Sequence, residues 1–340
     1  MQFQDFWYIV SLSKHLKANQ VLARNVLGEW LAIFRGSNGE PVALQDRCLH
    51  RNSRLSEGKV NRGILQCPYH GWLYDGNGHV IAVPAQGPSF KSPPGCRGKC
   101  YAVRERDGYV YVRLAATPRV DFEPFPMPHY GQPGWETVRV INRFANDVTN
   151  CAENFIDIPH TAFVHQGIFR SSRQKKLGMT VKRCDGAVLV EYHHESSNLG
   201  WYRYFLNFKG TGIKHSDLFF MPNITCVEYQ MGGNRHLFIT SQSIPETHNS
   251  TLVYTDITYN YGIWNKLALP FVGWTAQHII RQDVKILGVQ GEAIAKYGTE
   301  FFPTPADTIH LFVESIRGAI GRGEDPRLLP NKTVEVNFWV

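Results

Sequence analysis

The sequence predicts an α+β protein in two parts: an all-β domain over residues 1–115, then an α+β domain over 116–340 whose antiparallel sheet is covered by helices. Three observations lead there. Up to about residue 115, short apolar runs alternate with Gly, Asn and Asp turns, and no helical period intrudes. Residues 118–134 are Pro-rich, the composition of a linker. Beyond them, strand-like alternating runs share the chain with two longer stretches of helical period.

Taken in order, FWYIV, WLAIFRG and PVALQD read as strands, the last two joined by the turn residues Gly36, Ser37, Asn38 and Gly39. WLYDGNGHVIAVP reads as a hairpin turning at Asp75, Gly76, Asn77 and Gly78. YAVRERDGYVYVRL gives two more strands around Asp107 and Gly108. In the second part, ETVRVINRFA, VLVEYHHES, LFFMPNITCVEY, HLFITSQSI and TLVYTDITY alternate as strands. HIIRQDVKILGVQGEAIAKYG and PADTIHLFVESIRGAI have the apolar spacing of amphipathic helices. His193 and His194 are neighbours on a strand and should point to opposite faces, so they are expected at the surface.

The stretch 46–75 carries the first chemistry. Cys48 and His50 form C-x-H, and after sixteen residues Cys67 and His70 form C-x-x-H. Pro68 and Gly71 supply the backbone restrictions of a tight turn. Leu49, Leu65, Tyr69 and Trp72 are expected to shelter one side. Two thiolates and two imidazoles can hold two sulfide-bridged irons, cysteines on one and histidines on the other, a [2Fe-2S] cluster. A zinc site is the rival for such a ligand count, but classical zinc spacing pairs like with like, whereas each pair here mixes Cys with His.

Residues 146–166 carry the second. Asn154, Asp157, His160 and His165 read N-x-x-D-x-x-H-x-x-x-x-H. Steps of three keep the first three on one helical face, but five residues separate the histidines by about 140° on an ideal helix. They converge only if the helix breaks, which Pro159 encourages. Two histidines and one carboxylate make the facial triad of a mononuclear ferrous site. Asp283 is a candidate for the carboxylate, since Ile279, Ile280, Ile286 and Leu287 give its helix a buried face; Asp256, Glu292 and Asp307 compete with it.

Composition sets the outer limits. The chain has 340 residues, 43% hydrophobic and 19% charged, as in an ordinary globular protein. There is no basic start with a long apolar run and no stretch of eighteen apolar residues, so neither a leader nor a membrane span is expected and the protein is placed in the cytoplasm. Seven cysteines are too few and scattered for a disulfide scaffold: Cys96 and Cys100 read as loop thiols, Cys151, Cys184 and Cys226 as small buried hydrophobes. The net charge of +7 suits an acidic electron-carrier partner; no basic run interleaved with aromatics points to nucleic acid. Phe169, Trp201, Tyr202, Tyr204, Phe205, Phe208, Phe219, Phe220, Tyr229, Phe238, Tyr254, Trp264 and Trp274 are expected mostly in the core, a few in a substrate pocket built from residues 165–300.

Both motifs, with the size and order of the domains, resemble the terminal oxygenase (α) component of the Rieske non-haem iron oxygenases, of the α-only type. The resemblance runs from FWYIV through the cluster motif to Q-D-x-x-x-L-x-x-Q at residues 282–290. It implies a Rieske domain followed by a helix-grip, START-like catalytic domain. It implies cluster ligands Cys48, His50, Cys67 and His70, and Fe(2+) ligands His160, His165 and Asp283. Asp157 would bridge His160 to His70 of a neighbouring chain in a head-to-tail homotrimer, and Asn154 would lie near the iron. Electrons would come from NAD(P)H through a reductase or ferredoxin. With dioxygen they would serve hydroxylation, or oxidative O- or N-demethylation, of an aromatic or heterocyclic small molecule. Cis-dihydroxylation is the alternative within the family, and a non-catalytic electron carrier the alternative outside it; a carrier needs no second iron. Two departures stand out: Leu49 where proline is common, and Asn52 where a small residue is frequent.

Overall fold

The computed structural model describes residues 1–340 except 93, 167–175, 194–212, 232–234 and 340. The chain forms two compact units: Gln2–Pro126 with Pro245–Thr247, and Met127–Ile244 with His248–Val340 and Met1. The division after Pro126 falls inside the Pro-rich stretch.

The first unit is all β. Its strands are β1 (Trp7–Leu12), β2 (Val21–Val26), β3 (Glu29–Arg35), β4 (Pro41–Gln45), β5 (Lys59–Asn61), β6 (Ile64–Gln66), β7 (Leu73–Tyr74), β8 (Val80–Ala82), β9 (Cys100–Arg106) and β10 (Tyr109–Arg113). Six strands form one sheet in the order β1-β10-β9-β4-β3-β2, and four short ones form a second, β5-β6-β7-β8. Turn chemistry sets the joints. Asp107 and Gly108 take positive φ between β9 and β10, and Asp75 Oδ1 accepts the backbone N–H of Asn77 and of His79 between β7 and β8. Ala32, Phe34, Leu44, Val60, Leu65 and Tyr74 form a core that also takes in Cys48 and Cys67.

The second unit is built on an eight-stranded sheet, β11 (Glu136–Phe144), β12 (Lys176–Cys184), β13 (Ala187–His193), β14 (Lys214–Phe220), β15 (Ile224–Met231), β16 (Arg235–Thr247), β17 (Ser250–Asn260) and β18 (Lys332–Trp339), in the order β11-β17-β16-β15-β14-β13-β12-β18. The run LFFMPNITCVEY breaks into two of these strands because Met221, Pro222 and Asn223 turn between them. Helices α1 (Val148–Asn154), α2 (Thr161–Val164), α3 (Asn265–Tyr297) and α4 (Thr308–Gly321) accompany the sheet, α3 against β11 and β17, α4 against β12 and β13.

Helix α3 begins thirteen residues before the helical period becomes legible, because Pro270 interrupts the pattern of its second turn. Its buried side holds Ile280, Asp283 and Leu287, with Phe144, Cys151 and Val253 beneath. Ile286, expected on that side, is exposed instead; it lies about 100° from Leu287 on the helix.

Several surface expectations change as well. Leu49 and Tyr69 are exposed, so of the four residues expected to shelter the cluster motif, Leu65 and the half-buried Trp72 do so. Trp264 and Trp274 are exposed, whereas Phe219 and Tyr254 are in the core. Cys151 and Cys226 are buried as expected, but Cys184 is half-buried. His193 is exposed. Phe169, Trp201, Tyr202, Tyr204, Phe205, Phe208 and His194 lie outside the described residues. Among the described residues, no helix is long and apolar enough to cross a membrane.

Candidate metal centres and substrate cavity

The Cys/His motif folds into two loops with one backbone frame. The N–H of Cys48 donates to the carbonyl of Ser53 and that of Asn52 to the carbonyl of Cys48; likewise Cys67 donates to Trp72 and Gly71 to Cys67. In each loop the residue four after the cysteine must turn left-handed: Asn52 at φ 56° and Gly71 at φ 72°. Asn is the non-glycine residue that best tolerates that conformation, and here its side chain accepts from Arg47 Nε at 2.7 Å. The departure at Asn52 therefore preserves the loop.

Both cysteines are buried and both histidines are exposed. The imidazoles of His50 and His70 lie 4.5 Å apart between centroids, and Trp72 stacks on His50 at 4.9 Å. The arrangement sorts the donors by type, sulfur inward and nitrogen outward, which fits a binuclear cluster better than one tetrahedral ion. Tyr74, unnoticed in the sequence, closes the sulfur side. Its oxygen accepts the N–H of Leu49 at 2.9 Å, leaving its hydroxyl hydrogen for Cys48 Sγ at 3.2 Å. Burial pushes the Cys48 thiol up, against the Tyr74 hydrogen bond, which favours the thiolate.

The second centre assembles from distant segments. Helix α1 ends at Asn154, residues 155–160 lie outside any helix, and α2 makes a single turn, flanked by His160 and His165. The break brings the two imidazoles to 5.3 Å between centroids. Asp283 reaches them from α3, its Oδ1 3.0 Å from His165 Nε2 and 3.7 Å from His160 Nε2. All three donor atoms lie within 4.8 Å of one another. Asp283 is 4% exposed, and its Oδ1 is buried without a hydrogen-bond partner. Donors about 2 Å from a shared ion would sit about 3 Å apart, so this set fits a metal.

The outer nitrogens are held as the inner ones require. His160 Nδ1 donates to Asp157 Oδ2 at 3.0 Å and His165 Nδ1 to Gln282 Oε1 at 2.7 Å, which fixes both rings with Nε2 toward Asp283. Burial opposes a charged His165 while Asp283 favours one, and the net direction is upward. The rival carboxylates stand apart from the histidines. Asp256 pairs with Arg139 at 3.1 Å, Asp307 caps its own turn through Thr304, and Glu292 is exposed. Asn154 Nδ2 is buried without a hydrogen-bond partner and faces the same cavity.

Every letter of Q-D-x-x-x-L-x-x-Q has a contact. Gln282 orients His165, Asp283 joins the histidines, and Leu287 enters the core beside Phe144. Gln290 accepts from Asn146 Nδ2 at 2.9 Å, and the same nitrogen reaches the Leu287 carbonyl at 2.8 Å. One residue on, a Cβ at Gly291 would lie 2.1 Å from the Ala145 carbonyl oxygen, so only glycine allows α3 this close to the strand end that leads into α1.

The triad opens on a cavity of about 140 Å³, close to the size known to hold a single benzene ring. Aliphatic side chains, among them Ile156, Val227, Ile239, Ile257 and Ile279, dominate the wall. Of the aromatics expected in a pocket, Tyr229 alone among the described residues lines it. His215 and Asp217 line it too, and sequence reading missed both; a His and an Asp two apart on one face of a strand were the available signal.

Residues 6–102 match the Rieske [2Fe-2S] domain family, and residues 146–311 the vanillate O-demethylase oxygenase C-terminal domain family. The chain belongs to the Rieske non-haem iron oxygenases. Among curated relatives, the oxygenase component of dicamba O-demethylase from Stenotrophomonas maltophilia is 29% identical over 54% of this chain and 54% of its own. Methylxanthine N1-demethylase NdmA from Pseudomonas putida is 33% identical over 48% of each. The chloroplastic protein TIC 55 of Arabidopsis thaliana is 28% identical over 57% of this chain and 35% of its own. The chain thus spans about a third to a half of the length of these relatives. In fold the likeness is nearly complete: the crystal structure of dicamba monooxygenase bound to dicamba superposes with a TM-score of 0.80, covering 95% of this chain and 98% of that one at 21% identity. Like other Rieske oxygenases it joins an all-β domain to an α+β domain with an antiparallel sheet.

Proposed function

We propose that this Rieske oxygenase is a cytoplasmic terminal component that hydroxylates, or oxidatively O- or N-demethylates, a small aromatic or heterocyclic molecule. The observation that carries the reading is the His160, His165 and Asp283 set, half-buried at His160 and buried at the other two, opening on an apolar cavity of one-ring size. Relatives named for N- and O-demethylation of methylxanthine and dicamba support it. Residues 1–115 would form the electron-storing domain and 116–340 the catalytic one.

Cys48, Cys67, His50 and His70 would hold the [2Fe-2S] cluster, and His160, His165 and Asp283 the ferrous ion. When bound, these groups supply one-electron storage and dioxygen activation. The chain's own residues do the rest. Tyr74 stabilises negative charge on Cys48, and the exposed His50 and His70 present the cluster's nitrogen side to other molecules. Asp157, 29% exposed on its side chain, holds His160 with one oxygen and keeps the other for His70 of a neighbouring copy in a head-to-tail homotrimer. The aliphatic wall excludes water and leaves the substrate's polar groups few places to sit. Electrons would come from NAD(P)H through a reductase or ferredoxin, a partner the net charge of +7 favours if it is acidic.

A single-turnover assay tests the reading. Chemically reduced, iron-loaded protein meets dioxygen with aryl methyl ethers, N-methyl heterocycles, aryl amines or plain arenes, and products are read by mass spectrometry. Loss of a methyl group or gain of one oxygen is expected. Gain of two oxygens and two hydrogens would make it a cis-dihydroxylating enzyme, and no product despite full iron occupancy across a wide panel would favour a carrier.

A further inference from the structure

The outer side of α3 divides into an apolar half and a cationic half. Leu267, Pro270, Trp274, His278, Arg281 and Lys285 are all exposed, and their spacing places them within an arc of about 80° on an ideal helix, opposite the buried Ile280, Asp283 and Leu287. The stripe is about 27 Å long. Its first half is apolar: Leu267 is 71% exposed and Trp274 64%, and the short turn Gly262–Trp264 that leads into the helix adds Ile263 at 90% and Trp264 at 52%. Its second half is cationic, with Arg281 and Lys285 on the stripe, while Lys266 stands beside the apolar end. From residue 261 to residue 291 the sole acid is Asp283, which is buried against His165. The exposed face of this segment therefore carries no negative side chain of its own.

We propose that this face docks on an anionic lipid surface, its tryptophans and aliphatic side chains entering the boundary between headgroups and acyl chains while Lys266, Arg281 and Lys285 meet the phosphates. Single exposed apolar residues are ordinary, but a run of them on one face marks a surface that meets another apolar phase. Tryptophan settles at a bilayer interface because its ring is apolar and its N–H polar, and basic side chains beside it are drawn to anionic headgroups. The helix would lie in the plane of the surface, with its buried side kept on the sheet. A second copy of the chain fits the face poorly, since a two-fold contact would set Arg281 and Lys285 against their own images. The inference goes beyond the oxygenase reading and does not rest on it.

Vesicle flotation tests it on the full chain with its metals loaded. The probes are vesicles of phosphatidylcholine alone and of phosphatidylcholine with about one-third phosphatidylglycerol. The parent is expected to float with the anionic vesicles, bound about tenfold or more tightly than to the neutral ones, and to be released as salt rises. Arg281→Gln with Lys285→Gln should weaken anionic binding about 25-fold, roughly fivefold for each charge. Leu267→Ser with Trp274→Ser should weaken binding to both vesicles about tenfold or more. All four positions are exposed, so melting temperature and visible absorbance should stay at parent values and report that the variants are folded. A parent that stays unbound at millimolar lipid, or binding that survives either double substitution unchanged, would overturn the proposal. So would a smaller assembly for Leu267→Ser with Trp274→Ser by light scattering, which would give the face to contacts between copies. Equal binding of the parent to both vesicles would overturn it too, and that comparison needs no variant.

Discussion

The two centres are built in opposite ways. The Cys/His centre lies within residues 48–70, on two loops that repeat one backbone frame and rest on a small core. The His/His/Asp centre joins residues 160, 165 and 283, and nothing local brings them together; a broken helix, a glycine contact and an asparagine clamp do so. A local centre should therefore fail with its own domain, whereas the dispersed one should fail at any of several joints.

The largest effects test that independence directly. Cys67→Ser should abolish the cluster's visible absorption and destabilise the all-β unit while the second unit still binds one iron. Asp283→Ala should do the reverse, lowering iron from about three to about two per chain with the visible spectrum intact. Metal analysis and absorbance on both variants check this, and loss of both signals in either variant would mean the centres are not separate.

Asp157→Ala should keep the cluster and, with the ferrous site saturated to offset an about 10- to 100-fold weaker affinity, cut turnover about a hundredfold or more, since His160 loses the acceptor of its Nδ1 hydrogen and the proposed link between copies goes with it. Steady-state rates against iron content measure it. Gln282→Leu removes the acceptor on His165 alone, and ferrous affinity should fall about 10- to 100-fold with the cluster unaffected.

Smaller changes sharpen the local side. Asn52→Gly should be nearly neutral, whereas Asn52→Val, forced to φ near 56°, should cost about 1–2 kcal/mol in thermal unfolding and speed cluster loss. The smallest effect concerns α1 and α4, joined by His310 Nδ1 and Glu153 Oε2 at 2.7 Å, with Glu314 and Asp307 close by. The hydrogen bond to Glu153 raises the His310 pKa, and burial raises that of Glu153. Groups with raised folded values bind protons on folding. The His310 contribution is complete below the unfolded imidazole pKa of about 6.5 and is lost as pH rises through the folded value, and Glu153 acts in the same direction from its own unfolded value upward. His310→Gln should flatten the fall in melting temperature as pH rises above about 6.5.

The same contrast decides what could be read in advance. Strands, turns and the pairing of Cys48 with His50 and of Cys67 with His70 follow from local spacing and were legible. Asp283 was a candidate on burial, but three other carboxylates competed until the fold tied up Asp256 and Asp307 and left Glu292 exposed. The need for a break between His160 and His165 was also legible, since their angle on a continuous helix forbids convergence. The role of Gln282, the hydroxyl of Tyr74 and the His215–Asp217 pair were not, because each acts through a partner 2 to 117 residues away that no periodicity marks. Among the described residues, Tyr229 is the one expected aromatic on the cavity wall, which the 154–165 segment, the sheet and α3 build together.

Gln282 and Asp283 are neighbours on one helix, and between them they address both nitrogens of His165. A histidine seized at both ends by a single rigid rod cannot swing free by degrees. Withdrawal of α3 by even a small roll takes away the ring's orienting acceptor and its fellow donor in the same motion. Chelation of the mononuclear iron should accordingly behave as an all-or-none event, with populations of intact and emptied sites and no half-liganded species between them.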